Sequence, residues 1–357
     1  ALDSNGAITT WSTRASALQN TRYLAAAAIN NGNIVVSGGC TGAVNNGGIL
    51  CDSGELASSQ EYAVIGTIGD ISGNFAVASQ SMTTTRLAHA LVSSRSVLYN
   101  IGGCSASGGC ATALNSIEYA FGGTGGSGSL SWNSVDNPTL STAKAGHTSV
   151  VLNGYLYVIG GCTSGSVTNC STATNVVQYA PIETDGTIST WNSTTNINTA
   201  RYNFAASIYN NRIYIAGGCT TNFTGSNCGQ TNNIEFATPN SDGSIPAGGW
   251  DNTNTDFTTG RQSHGMTIER GFMYVAGGTD SAGTLKDDVQ YSQIDSFTGA
   301  LGSWSTTTVL PSARQQLGFV SYNGYLYTVG GCTHVSDCTG NNITNKVYYA
   351  QLSSGSI

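Results

Sequence analysis

The stretch Lys144-Ala-Gly-His-Thr-Ser-Val-Val-Leu-Asn-Gly-Tyr-Leu-Tyr-Val-Ile-Gly-Gly161 holds two short apolar runs split by Asn153-Gly154 and ended by a glycine pair. A two-residue Asn-Gly link between such runs is the strongest short-range sign of a β-hairpin, because both central turn positions need positive φ. Gly160-Gly161 then breaks the second strand. Downstream, Asn175-Val-Val-Gln-Tyr-Ala180 reads as a third strand, Asp185-Gly186 as a tight turn, and Ile188-Ser-Thr-Trp191 as a fourth.

The same order recurs along the whole chain. Its glycine pairs are Gly38-Gly39, Gly102-Gly103, Gly160-Gly161, Gly217-Gly218, Gly277-Gly278 and Gly330-Gly331, a period of about 60 residues that marks a repeat protein. Four short antiparallel strands per repeat make a propeller blade. The fourth-strand tryptophan returns as Trp132, Trp191, Trp250 and Trp304, with Phe75 at roughly that place in the first blade. The sixth blade lacks one, yet the chain opens on Gly6-Ala-Ile8-Thr-Thr-Trp11, a fourth strand with no preceding three. The N-terminal strand is therefore expected to complete the last blade, removing the two edges of an open ring. The expected fold is all-β: one six-bladed propeller over residues 1–357, with blades at about 22–81, 86–139, 144–195, 201–255, 261–308 and 314–352, the last completed by residues 1–18.

The succession of basic residue, apolar strand, Asn-Gly, Tyr-x-x-Gly-Gly, Glu-Tyr and Trp resembles the kelch repeat and covers essentially the whole chain. Asp185-Gly-Thr-Ile-Ser-Thr-Trp191, followed by Ala200-Arg201, also resembles the kelch arrays of large exported bacterial and archaeal surface proteins. Kelch propellers include binding modules, galactose oxidases and sugar mutarotases, so the resemblance implies a fold and leaves the activity open.

Composition fits an exported β protein. Charged residues make up 9% of the chain, against about 25% in ordinary soluble domains. A net charge of −7 argues against nucleic acid and anionic membrane surfaces as partners. No apolar run approaches the ~20 residues of a membrane helix. No signal peptide is present, so secretion would make this a mature or excised form; Gly355-Ser-Ile357 repeats the start of the turn that opens the chain, as in a piece of a longer polypeptide.

Ten cysteines fall two to a blade in five blades: Cys40 and Cys51, Cys104 and Cys110, Cys162 and Cys170, Cys219 and Cys228, Cys332 and Cys338. The fifth blade, where Thr279 follows Gly278, has neither member. Gain or loss in pairs predicts local bridges across the loop joining strands two and three, each contributing roughly 2–3 kcal/mol. Such bridges place the protein in an oxidising compartment, extracellular or at the cell surface. Zinc is disfavoured, since no Cys-x-x-Cys occurs and a structural site needs four convergent ligands.

A basic residue occupies one position in every repeat: Arg22, Arg86, Lys144, Arg201, Arg261 and Arg314. At the start of the innermost strand these six would encircle one mouth of the channel. In kelch relatives that capture acidic peptides, residues at the matching position contact the ligand, so these six are the candidate ligand-binding set. The competing role is structural, through pairing with Glu61, Glu118 and Glu235, or with Gln178 and Gln290, on the third strand. His89, His147 and His264 lie three residues further on, where other blades carry Ala25, Phe204 and Leu317; a position tolerating these reads as packing, and strand alternation would put it opposite the basic residue.

Nothing in the sequence demands a cofactor or metal, and no catalytic residue stands out. A galactose oxidase needs a cysteine free to cross-link a tyrosine, whereas every cysteine here has an apparent partner. Asp185-Gly186 and Asp242-Gly243 superficially resemble sialidase Asp boxes but read better as turns, where glycine supplies positive φ. Asp280, Asp287 and Asp288 in the disulfide-free loop offer oxygens to calcium, at a spacing matching no known calcium loop. Asn169, Asn192, Asn222 and Asn342 begin sequons that permit surface glycans. The expectation is a non-catalytic binding or structural module that recognises a glycan or an acidic protein segment, with other domains of a longer surface protein as possible neighbours. Alternatives are a carbohydrate-active enzyme (sugar oxidase, mutarotase or sialidase-like) and an architectural subunit of a filament or sheath.

Overall fold

The structure, a computed structural model, describes residues 6–13, 17–42, 51, 56–105, 113–122, 130–133, 138–166, 169–221, 227–252, 254–336, 338 and 340–353. Its strands form six four-stranded antiparallel sheets in a ring. In the third blade the strands are Thr148–Leu152, Tyr155–Ile159, Val177–Pro181 and Asn192–Ser193. Hairpin register runs from Leu152 opposite Tyr155 to Thr148 opposite Ile159, as the Asn153-Gly154 turn dictates. The fourth strand starts one residue beyond Trp191. In the first blade Phe75 is buried within a fourth strand, Ile71–Val77, whose register shifts between Tyr62 and Val64.

The second strands are nearly continuous apolar runs because each is covered on both faces by a neighbouring sheet. All five residues are buried in Asn33–Ser37, Val97–Ile101 and Phe272–Ala276. The core is accordingly a series of inter-sheet clusters, such as Tyr157 and Ile159 of blade three packed with Ile213 and Ile215 of blade four.

Ring closure follows the expected route. Ser12–Thr13 pairs with the third strand of blade six, Ser12 opposite Tyr349 and Thr13 opposite Tyr348, and Ile8 bridges Leu352. Trp11 donates its indole N–H to Thr308 O at 3.0 Å. The same outer bond links Trp191 to Pro138 O, Trp250 to Thr195 O and Trp304 to Thr255 O, each fourth strand to the segment leaving the preceding blade.

Two further sets of bonds repeat around the ring. The tyrosine of Tyr-x-x-Gly-Gly donates its hydroxyl to the turn glycine of the next blade: Tyr99 to Gly186, Tyr157 to Gly243, Tyr214 to Gly299, Tyr274 to Gly6 and Tyr327 to Gly69, at 2.7–3.0 Å. The second glycine of each pair donates its N–H to the carbonyl of the next blade's basic residue, through all six steps to Gly331 N–H to Arg22 O at 2.8 Å. The first glycine has positive φ in every blade. A Cβ there would lie 2.5–2.9 Å from that same carbonyl, so the approach of the next backbone requires glycine.

Candidate functional site

The basic residues precede the first strands. Lys144 is separated from Thr148 by Gly146 in a left-handed conformation, and Leu24, Ala88, Asn203, Ser263 and Gln316 hold the same conformation in the other blades. The expected strand alternation between the basic residue and the histidine position is therefore corrected by this kink. The kinked residues are themselves bonded from blade to blade: Ala88 N–H to Leu24 O, Gly146 to Ala88, Asn203 to Gly146, Ser263 to Asn203 and Gln316 to Ser263, at 2.8–2.9 Å. They surround an axial cavity of about 110 Å³ to which all six blades contribute.

All six basic side chains run into the blades and are at most 1% exposed. Arg22 donates to Glu61 Oε1 at 2.9–3.0 Å, to Gly38 O at 2.7 Å and to Ser59 Oγ at 2.8 Å. Arg86 repeats this with Glu118, Gly102 O and Ser116 Oγ, and Arg201 with Glu235, Gly217 O and Asn233 Oδ1. In blade five the glutamate position is Gln290, and Arg261 instead forms a two-pronged pair with Asp288 at 2.8 and 2.9 Å while reaching Gly277 O. Arg314 reaches Gly330 O and lies 4.7 Å above the Tyr348 ring, which stands where a carboxylate stands elsewhere.

The side chains at the glutamate position have a second task. Glu118 accepts from Thr83 N–H, Glu235 from Asn198 N–H, and Gln290 from Thr258 N–H, in each case binding the segment that enters the blade. Of the two roles the sequence allows these cations, the geometry accounts for the strut: their donors are directed inside the blades.

Lys144 departs from this pattern. Its side chain is buried and forms no ion pair with another described residue, and Gln178 Oε1, at the glutamate position, has no hydrogen-bond partner. Burial lowers the Lys144 pKa to about 8.

The imidazoles of His89, His147 and His264 are 5–6% exposed and lie beside the axial cavity. Each packs on the first glycine of the preceding blade, where a Cβ would come within 2.5–2.8 Å of the ring Cε1; Phe204 covers Gly160 and Leu317 covers Gly277 in the same manner. Among the described residues, no hydrogen bond to these ring nitrogens reaches normal geometry. Burial first, then the charge of Arg86, Lys144 or Arg261, lowers each pKa to about 3, so these histidines are neutral.

Four cystines join the expected neighbours: Cys40–Cys51, Cys162–Cys170, Cys219–Cys228 and Cys332–Cys338, with Cα separations of 5.1–5.7 Å. Cys104 is also disulfide-bonded; its expected partner Cys110 lies outside the described residues. In blade five, Asp280 and Lys286 form an ion pair of 2.6 Å across the corresponding loop, and Asp280 Oδ1 accepts from Ala282 and Thr284 N–H. With Asp288 bound to Arg261, two of the three carboxylates considered for calcium have protein partners. No group of three or more histidine, cysteine or acidic residues is arranged for a metal among the described residues. The sequon residue Asn222 lies outside the described residues.

Ring, register and blade-to-blade bonds together define a six-bladed β-propeller. A family profile described as "Kelch motif" matches residues 143–178, the third repeat. Beta-scruin of Limulus polyphemus is 27% identical over 192 residues, 54% of this chain and 19% of that protein, so the chain spans about a fifth of this curated relative's length. A solved structure described as "Structure of YjhT" superposes with a TM-score of 0.65 at 12% identity, covering 92% of this chain and 98% of that one, a likeness of fold. The fold is a six-bladed β-propeller whose third repeat matches the kelch motif.

Proposed function

We propose that the protein is a non-catalytic recognition or structural module of an extracellular or cell-surface assembly, with a glycan or an acidic protein segment as partner. The observation that carries this reading is where the recurrent chemistry goes. Arginines and their carboxylates are committed to bracing the inside of each blade, and the repeat tyrosines and tryptophans to holding blade to blade. What differs between blades is concentrated in the loops and turns of the rims, where a rigid scaffold presents binding groups. Loop cystines support an oxidising location. The test is to apply the purified protein to a glycan array and to immobilised acidic peptides, while assaying bound transition metal and turnover of galactose and sialic-acid substrates. Capture without turnover is expected. Turnover, or stoichiometric copper, would replace this reading with an enzymatic one.

A further inference from the structure

Six buried cations lie one to a blade, and five of them meet a charged or aromatic partner. Four arginines reach a carboxylate at 2.5–2.9 Å, and Arg314 lies over the Tyr348 ring. Lys144 is the sixth, 1% exposed and without an ion pair among the described residues. A buried ammonium without a counter-charge is strongly unfavourable, which is why lysine is almost never fully buried unless paired.

Three exchanges in blade three act together around this cation. The residue whose carbonyl accepts the N–H of the first glycine is Ser59, Ser116, Asn233 and Asp288 in blades one, two, four and five, and Val176 in blade three. In those four blades its side chain also accepts from the arginine, at 2.8–2.9 Å. Val176 has no polar atom to offer. Two residues on, the carboxylate of blades one, two and four becomes the neutral amide of Gln178, and the guanidinium becomes the shorter ammonium of Lys144. Each exchange removes polar or anionic character from around the cation, yet the cation stays. An apolar side chain at position 144 would suit Val176 and leave no charge to neutralise.

A second donor loses its acceptor at the same place. Three residues before the cation, the N–H of Gln19, Thr83, Asn198 and Thr258 donates to the side chain at the glutamate position. The corresponding N–H in blade three belongs to Ser141. Gln178 Oε1 is buried with no hydrogen-bond partner, so that bond is not made. Lys144 Nζ and the Ser141 N–H thus belong to the place that a carboxylate fills in blades one, two and four, with an amide alongside that can turn its own N–H groups toward an anion. The change from guanidinium to ammonium makes room for one. Ser141 and Thr142 are themselves exposed, so an ion from solvent has a short path.

We infer that blade three binds a small monovalent anion, chloride in ordinary solution, between Lys144, the Ser141 N–H and the Gln178 amide, where it replaces the carboxylate of the other blades. One negative charge balances one ammonium. A divalent oxyanion would have to shed more hydration than a single buried cation offsets. The site lies inside a blade and is separate from any partner bound at the rims.

The test is the stability of the full chain at pH 7 with chloride exchanged for gluconate at fixed ionic strength. An anion bound only by the folded state stabilises by mass action, so above its Kd the folding equilibrium constant should rise about tenfold for each tenfold increase in chloride. Gln178→Glu places a carboxylate beside Lys144 and should abolish that dependence. Lys144→Met removes the charge and should abolish it too, so that the test survives poor folding of either variant. Crystals grown in bromide should show an anomalous peak in contact with Lys144 Nζ. Equal stability in chloride and gluconate, a chloride dependence that persists in the variants, or bromide absent from Lys144 would each overturn the inference.

Discussion

His89, His147 and His264 share their position with Phe204 and Leu317, and the structure explains why so different a set is tolerated: each covers the glycine of the neighbouring blade. The difference is that histidine can take up a proton. Buried and close to a cation, each has its pKa lowered to about 3, whereas the unfolded chain accepts a proton near 6.5. The unfolded state therefore binds more protons between these values, and the histidine contribution to stability, complete above about 6.5, is lost as pH falls toward 3. Urea midpoints measured across that window should fall steeply for the wild type and less steeply for His264→Phe, which copies blade four; equal slopes would refute this account. Lys144 has the opposite remedy. Its pKa of about 8, lowered by burial from 10.5, makes stability rise between those values. Replacing Lys144 by Arg together with Gln178 by Glu would recreate the buried pair of blades one, two and four, and is expected to stabilise by about 2 kcal/mol and to remove the alkaline rise, both readable in denaturant titrations at pH 7 and 10.

At the scale of the element, the loop after each glycine pair is the part most exposed to local opening. Cystine occupies it in the described loops of blades one, three, four and six, and the Asp280–Lys286 pair in blade five. Changing Cys219 and Cys228 together to Ala should cost about 2–3 kcal/mol, with faster amide exchange confined to that loop. Asp280→Ala should cost nearer 1 kcal/mol, since that ion pair is partly exposed to solvent. A change of the same size in both would mean that the loops are held by their backbone alone. The cystines were legible in the sequence because members come and go in pairs within one loop. The ion pair was not, because Asp280 and Lys286 are ordinary surface residues until the backbone brings them together. The Arg261 partner was hidden for a related reason: the carboxylate in blade five moved from the Gln290 position to Asp288, two residues earlier and just ahead of the third strand Val289–Gln293.

Across the whole molecule, the glycine pairs, Asn-Gly turns and recurrent tryptophans made blade number and closure readable, since each marks a backbone or packing demand that few residues meet. The axial ring of left-handed residues was not readable, because Leu24, Ala88 and Gln316 carry no preference for that conformation and adopt it only when bonded to the next blade. Placement of the basic residues failed with it, since the kink turns their side chains into the blade. The ring is closed twice, on the inside by Gly331 N–H to Arg22 O and on the outside by the N-terminal strand. Deleting residues 1–13 would leave the inner closure, uncover the edge of Val347–Gln351, and remove Ile8 and Trp11 from a cluster that includes Phe272 and Leu352. Loss of a buried tryptophan costs about 3–5 kcal/mol, and an exposed edge strand invites pairing with another copy. The shortened chain should therefore remain largely folded by circular dichroism, melt earlier and elute as dimers or larger species in size exclusion with light scattering. Trp11→Ala in the full chain should share the earlier melt and stay monomeric, because its edge is still covered. Truncation without self-association, or self-association of both proteins alike, would show that the N-terminal strand serves as packing and not as the cover of an open edge.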